Sequence, residues 1–167
     1  MQSRTEIFKQ FWQTFSILPC DDGMQFCRHI HREGNKHADR LATTGVLKFG
    51  EVVHGSWRGR MGPPAFVRVW FDGGAREGFS GCGVVLDAAR ELDHCQRPRW
   101  ILVGGWGTRL RTKGGESLHA ELAGLSCALA GLAQFIERGS IDYTPRCSVL
   151  CTSHFAKAFE EIVTSLQ

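Results

Sequence analysis

The sequence predicts an α/β domain in which a mixed sheet is flanked by helices. Apolar runs at 66–71, 81–86 and 100–106 have the length and patterning of three consecutive strands. Leucine or isoleucine then recurs every three or four residues over 118–136, which predicts a long amphipathic helix. A further strand-like run follows at 147–151. Strands and helices in this succession are typical of α/β domains.

The elements before residue 45 are predicted to be a helix, a strand and a helix. Apolar residues recur at helical spacing over 5–18, and Pro19 ends this first helix. Over residues 24–31, mainly apolar side chains alternate with mainly polar ones, as in a strand. Asn35 is a candidate cap for a short helix, and Gly45 is the residue expected to close it.

The segment 46–65 is predicted to be a linker because it is rich in glycine and contains Pro63-Pro64. From residue 66 onward the predicted order is three strands, a helix that stops at Gly139, a strand and a final helix. That final helix follows 147–151 and has one apolar face.

Size and composition indicate one globular domain. Of 167 residues, 43% are hydrophobic and 22% are charged, which suffices for a buried core. The formal net charge of +3 permits a polyanionic partner without requiring one. The seven cysteines form no Cys-x-x-Cys pair and the N-terminus lacks a signal-peptide pattern, so we expect reduced thiols in an intracellular protein, nuclear or cytoplasmic and not secreted. No apolar run approaches the roughly 20 residues of a membrane span, so no membrane partner is expected.

Three stretches of this sequence resemble motifs of one enzyme family. Residues 66–86 read FVRVWFDGGAREGFSGCGVVL, residues 116–125 read ESLHAELAGL, and residues 28–42 read RHIHREGNKHADRLA. The first stretch resembles the opening of a type 1 ribonuclease H domain, of the reverse-transcriptase-associated or plant type. The second resembles its central helix, and the third its closing strand and helix. The family's ending therefore precedes its beginning.

Two arrangements account for this order. The chain is a circularly permuted domain, or it is a slice through a tandem array that joins the tail of one copy to the head of the next. In both, 1–45 is the C-terminal part of a ribonuclease H-like domain, 46–65 is the Gly/Pro-rich linker, and 66–167 is the N-terminal part. We expect the two parts to complete one five-stranded mixed sheet within a single molecule; exchange between molecules is the alternative.

The resemblance implies hydrolysis of the RNA strand of an RNA–DNA hybrid by an endonuclease that uses two Mg²⁺ (or Mn²⁺) ions about 4 Å apart. The family holds the metals with four carboxylates. Three of these fall on Asp72, Glu121 and Asp39 of this chain. The remaining position is Thr152, which has a hydroxyl but no charge, so weaker metal binding and impaired activity are expected. His29 occupies the position of a family histidine near the metals.

The residues alone also allow structural roles for the three carboxylates. Asp72 is followed by glycine and suits a turn at a strand end. Glu121 suits a solvated helical position, and Asp39 suits the N-terminal end of a helix dipole. Only the resemblance favours a shared metal site.

The expected substrate contacts lie between the third strand and the long helix. Arg109, Arg111 and Lys113 form a basic loop that suits a phosphate backbone. Ahead of the helical glutamate the family has polar asparagines that touch the hybrid, whereas this chain has Ser117 and Leu118. Ser117 is the fourth expected contact, and the Leu118 side chain cannot make such hydrogen bonds. RNA–DNA hybrid or another nucleic acid is therefore the expected partner, and no obligate protein partner is evident.

Two alternatives to an active nuclease also agree with the sequence. A catalytically inactive nucleic-acid-binding module would keep the fold and the basic loop without a working metal centre. A retroelement-derived remnant without function would show no cooperative unfolding.

Overall fold

The computed structural model of the chain describes residues 27–48, 50–57, 62–110, 117–138 and 146–151. The strands among them are β1 (Cys27–His29), β2 (Gly50–His54), β3 (Phe66–Arg76), β4 (Phe79–Ala89), β5 (Ile101–Leu110) and β6 (Arg146–Cys151), and the helices are α1 (Lys36–Lys48) and α2 (Ser117–Arg138). The predicted helix over 5–18 and the final predicted helix lie outside the described residues.

One mixed sheet contains all six described strands, in the order β1-β6-β3-β4-β5-β2. Strands β1, β6 and β3 run parallel, whereas β3, β4, β5 and β2 pair antiparallel with their neighbours. The α/β class, the mixed sheet and the flanking helices are therefore confirmed. The sheet also pairs β1, from before the Gly/Pro-rich segment, with β6, from after it.

The sequence did not predict β2, which lies within the segment interpreted as a linker. Val52 and Val53 have the β-branched side chains that suit a strand, and the strand pairs with β5 from Gly50↔Thr108 to His54↔Gly104. Val52 is 66% exposed, as expected at the edge of the described sheet. The segment therefore adds a sixth strand to the five that were predicted.

Helix α1 is longer than predicted because Gly45 does not end it. The helix continues to Lys48, and Gly45 is buried against β5. A Cβ atom at residue 45 would lie 2.6 Å from the carbonyl oxygen of Thr108. The glycine therefore permits close packing of helix on sheet and is not a C-terminal cap.

The main core lies between α2 and one face of the sheet. Leu125, Leu129 and Leu132 of α2 are almost fully buried against Val69 and Phe71 of β3. This confirms that most of the predicted leucine stripe packs in the core. By length and mean hydropathy (21 residues, 1.2), Ser117–Glu137 also passes as a membrane span, the one such segment in the described part of the chain. Core helices of compact domains share these properties.

Helix α1 covers the opposite face of the sheet. Glycines in β4 and β5 lie directly beneath it, and a Cβ atom at Gly83 or Gly107 would collide with the backbone of Ala38 or Leu41 respectively. The helix buries Leu41 and Ala42 in this contact. Residues from before and after the Gly/Pro-rich segment thus pack together within one molecule.

Candidate functional site

Asp72 is a buried carboxylate near the centre of the sheet, with 7% of its surface exposed. It pairs with Gly83 of β4. Two residues later, Gly74 faces α1, with its added Cβ in ordinary contact with Val46 and Ala42. Because alternate residues of a strand share a face, Asp72 lies on the α1 face of the sheet.

Glu121 lies in the first turns of α2, where this helix crosses β3 immediately beside Asp72. A Cβ atom at Gly73 would collide with the backbone nitrogen of Glu121, and one at Gly124 would lie 3.0 Å from the carbonyl oxygen of Asp72. The Oε2 atom of Glu121 is buried. Its backbone is therefore adjacent to that of Asp72, but it approaches from the opposite face of the sheet.

Asp39 lies in the first turn of α1, which passes over the strand next to Asp72. The preceding residue, Ala38, packs against Gly83, the pairing partner of Asp72. The Asp39 carboxylate is 35% exposed and accepts a hydrogen bond of 3.1 Å from Arg32. The structure therefore brings the backbone segments of all three predicted carboxylates to one region of β3 and β4, with Asp39 held in an ion pair.

The described side chains do not complete a metal centre. No group of three or more histidine, cysteine, aspartate or glutamate side chains in the described ranges lies close enough to hold an ion. His29 contributes its backbone to β1, where it pairs with Cys151. Thr152 lies outside the described residues. The ladder between β3 and β6 ends at Trp70↔Leu150, two positions before Asp72 and Thr152 in the sequence.

Only two of the four predicted nucleic-acid contacts fall within the described residues. Arg109 was expected in a loop, but β5 extends through Leu110 and places Arg109 on a strand. Its guanidinium lies 3.5 Å from the ring centroid of Phe79, whose side chain is 48% exposed. Ser117 is exposed at the start of α2. The predicted contacts Arg111 and Lys113 lie outside the described residues.

A second cluster of polar and aromatic side chains lies on the α1 face, toward the start of β3. Arg68 Nε and Trp70 Nε1 each donate a hydrogen bond of 2.9 Å to Oδ2 of Asp87. The Arg68 guanidinium lies 4.7 Å from the Trp70 ring centroid and 4.0 Å from that of Trp100. Burial lowers the pKa of Arg68, and the hydrogen bond with Asp87 opposes this effect. The arginine is thus held between two indole rings by a half-buried carboxylate.

This cluster lines a cavity of about 460 Å³ beneath the N-terminal end of α1. Asn35, which precedes the helix, also lines it, and its Nδ2 donates a hydrogen bond of 2.9 Å to the carbonyl oxygen of Phe71. Arg68 and Trp70 share the face of Asp72, because alternate residues of a strand lie on one face, but sequence reasoning did not identify this cavity. The contact between Asn35 and Phe71 joins residues 36 positions apart, and no local pattern encodes it.

No protein-family model, curated protein or solved structure matches this chain.

Proposed function

We propose that this chain is a ribonuclease H-like domain, in permuted or tandem-junction order, that binds RNA–DNA hybrids and cleaves the RNA strand weakly with Mg²⁺ or Mn²⁺. The observation that carries the proposal is the parallel pairing of β1 with β6, from Cys27↔Val149 to His29↔Cys151. This pairing makes one sheet from the two parts of the chain that resemble the family's ending and its beginning. Intracellular hybrids would be the substrate.

The retained carboxylates suit a hard divalent cation in chemistry but not fully in geometry. Mg²⁺ prefers anionic oxygen ligands, which Asp72, Glu121 and Asp39 supply. The described side chains do not gather three such groups around one point, and Asp39 is paired with Arg32. Thr152 is uncharged, so it offsets less of the repulsion between two nearby dications than an aspartate would. These features favour weak metal binding and slow cleavage.

In this proposal the chain's own residues hold and orient the reacting groups. A pair of divalent ions in such a centre supplies an activated water and neutralises charge at the leaving oxygen. Asp72 is the ligand with the most fixed position, because its strand lies between β6 and β4 and its backbone contacts Gly124 of α2. Asp39 would help to hold a metal ion only after its carboxylate leaves Arg32, whose side chain is 77% exposed.

The side chains at the end of the hairpin between β3 and β4 suit a nucleic-acid-binding surface. Arg109 lies over the ring of half-exposed Phe79. Arg76 is exposed at the same end of the hairpin, where it is paired with Glu77 at 3.1 Å. Arginine next to an exposed aromatic ring suits a phosphate backbone whose bases or sugars contact the ring. Because phosphate contacts displace counterions, binding at this surface should weaken steeply as salt rises.

The deciding experiment is cleavage of a labelled RNA–DNA hybrid by the full chain in Mg²⁺ and in Mn²⁺. Asp72→Asn and Glu121→Gln should each abolish cleavage while the protein still melts cooperatively. Glu137→Gln is the matched control, because it makes the same change at an exposed position four turns further along α2 and should cleave at the wild-type rate. Cleavage that persists in Asp72→Asn would come from a contaminant or another site and would refute the proposal.

An inactive nucleic-acid-binding module is the second candidate, and the Arg32–Asp39 ion pair is the observation that favours it. A carboxylate already neutralised by an arginine does not need a metal. This candidate predicts salt-dependent hybrid binding that is equal in EDTA and in Mg²⁺, with no cleavage in either. Arg32→Ala separates the two, because freeing Asp39 should raise cleavage by the enzyme and leave a binding module inactive.

A further inference from the structure

The cavity beneath the N-terminal end of α1 has the size of a small-ligand site. Its volume is about 460 Å³, within the range of roughly 300–1,000 Å³ that is usual for such sites. Val85 and Leu102 give it apolar surface, and Trp70 and Trp100 add aromatic surface. Lys36 is exposed and also lines it. The cavity therefore combines apolar, aromatic and positively charged surface.

Asn35 lines this cavity and has a buried acceptor atom. Its residue surface is 1% exposed, and its Nδ2 is fixed by the hydrogen bond to Phe71. That bond sets the orientation of the amide, because the Phe71 carbonyl accepts only from the nitrogen. The Oδ1 atom is buried and has no hydrogen-bond partner in the described part of the chain. Leaving a buried acceptor unsatisfied is costly, so a ligand that donates a hydrogen bond to Oδ1 gains affinity.

The helix end next to Asn35 favours an anion. Helix α1 has 13 residues, and its first i→i−4 hydrogen bond runs from the Asp39 N–H to the Asn35 carbonyl oxygen. The N–H groups ahead of Asp39 in the helix therefore have no intrahelical acceptors. The helix dipole and Lys36 add positive charge at this end. Glu33, which also lines the cavity, opposes an anion, and Asp39 in the first turn is neutralised by Arg32. The N–H groups and Lys36 together match a phosphate or phosphate monoester.

The part of the cavity wall formed by Trp70, Trp100 and Arg68 favours a planar group. Trp100 and Trp70 flank Arg68, whose guanidinium is neutralised by Asp87. Indole rings and a planar guanidinium form flat surfaces on which an aromatic ring stacks. Because Asp87 holds Arg68 in place, this wall is ordered before a ligand arrives. A heterocycle that stacks on this wall would therefore lose little binding free energy to the ordering of its side chains.

We propose that this cavity binds a nucleotide, with its base against the tryptophan wall, its phosphate at the start of α1, and an amine or sugar hydroxyl donating to Oδ1 of Asn35. A nucleotide is the ligand class that offers a planar ring, a donor and an anion within one molecule of this size. The same chemistry is present in a free mononucleotide and in one nucleotide of a single strand. The site does not depend on the metal centre of the proposed nuclease.

The test is a titration of the full chain, by calorimetry and tryptophan fluorescence, with AMP and CMP, with adenosine, with inorganic phosphate and with a single-stranded hexanucleotide. Binding of a mononucleotide, tighter than that of adenosine or phosphate, is expected. Tighter binding of the hexanucleotide would assign the site to a strand, and equal or weaker binding would assign it to the free nucleotide. No binding of any nucleotide by folded protein, or equal affinity for inorganic phosphate, would overturn the proposal.

Two variants on α1 locate the binding site. Lys36→Glu reverses a charge at the cavity and should weaken nucleotide affinity about tenfold. Lys48→Glu makes the same change at the exposed C-terminal end of the helix and should bind as the wild type does. Trp100→Leu, checked for a cooperative melt, should remove both the binding and the fluorescence response. Equal nucleotide affinity in Lys36→Glu and Lys48→Glu would also overturn the proposal, because binding would then lie elsewhere.

Discussion

Asn35 donates a hydrogen bond of 2.9 Å from its side-chain nitrogen to the backbone carbonyl oxygen of Phe71. The bond is buried and joins the start of α1 to the residue that precedes Asp72. It therefore links the part of the chain before the Gly/Pro-rich segment to the central strand of the part after it. The same side chain contributes to the cavity wall, so it connects the two proposed sites.

Asn35→Ala should destabilise the folded chain by about 1–3 kcal/mol, because the buried Phe71 carbonyl loses its side-chain donor. Thr44→Ala is the matched control. It removes an exposed hydrogen bond of 2.9 Å from the Thr44 hydroxyl to the Arg40 carbonyl within the same helix, and should change stability by less than about 0.5 kcal/mol. Urea unfolding followed by circular dichroism measures both. Equal unfolding midpoints for the two variants would contradict the role assigned to Asn35.

Gly73→Ala should lower the free energy of unfolding far more than Gly74→Ala does. A Cβ atom at residue 73 would collide with the backbone of Ala120 and Glu121, whereas at residue 74 it would lie 3.9 Å from a Val46 methyl group. Because the obstacle at residue 73 is helix backbone, we expect a loss of roughly 1–3 kcal/mol or more, against about 0.5 kcal/mol or less at residue 74.

The same pair of variants tests the placement of Glu121. Gly73→Ala should also impair hybrid cleavage in the fraction that remains folded, because it displaces the first turns of α2 from Asp72. Thermal melts and cleavage rates for the two alanine variants provide the comparison. If both variants melt like the wild type, α2 does not cross β3 as closely as described.

The fold elements that the sequence predicted best are those with strong periodicity. The leucine stripe over 118–136 predicted α2, and the apolar runs predicted β3, β4 and β5. Gly45 was misinterpreted because glycine marks both helix ends and close packing, and only the contact with Thr108 distinguishes them. Strand β2 was missed because its two valines lie among the glycines that indicated a linker.

The shared metal site of Asp72, Glu121 and Asp39 rests on the resemblance and stays a prediction. Their backbone segments lie near one another at β3 and β4, but no three such side chains gather around one point in the described ranges. The ion pair of Asp39 with Arg32 depends on a short turn between them that no periodicity specifies. The tryptophan-lined cavity depends on contacts between residues far apart in sequence, such as Arg68 and Trp100.

The thiol of Cys127 should react in the neutral pH range. Its sulfur lies 3.9 Å from that of Cys82, and this hydrogen bond lowers the pKa of Cys127 to about 7 against the opposing effect of burial. The same bond raises the pKa of Cys82, so Cys82 stays protonated and donates. Since the thiolate is the nucleophile, the alkylation rate of Cys127 should rise about tenfold from pH 6 to pH 8 and then level off.

Iodoacetamide labelling of the native chain, with the Cys127 peptide followed by mass spectrometry, measures this profile. Cys82→Ala removes the donor and should move the midpoint up toward the ordinary thiol pKa of about 8.5. Exposed Cys95 in the same sample serves as the internal control. A Cys127 profile that is identical in the wild type and in Cys82→Ala would show that the two sulfurs do not interact.

Thr152→Asp should increase hybrid cleavage by about tenfold or more, because it restores a fourth anionic ligand to a centre meant for two dications. The parallel ladder of β3 with β6 runs from Phe66↔Arg146 to Trp70↔Leu150, so Asp72 and Thr152 each stand two residues beyond its last pair in sequence. Ser153→Asp adds the same charge one residue later and should leave the rate low. Initial rates over a Mg²⁺ titration separate tighter metal binding from a faster reaction. If Thr152→Asp folds as the wild type does but cleaves no faster, the proposed metal centre does not assemble beyond the last pair of the β3–β6 ladder.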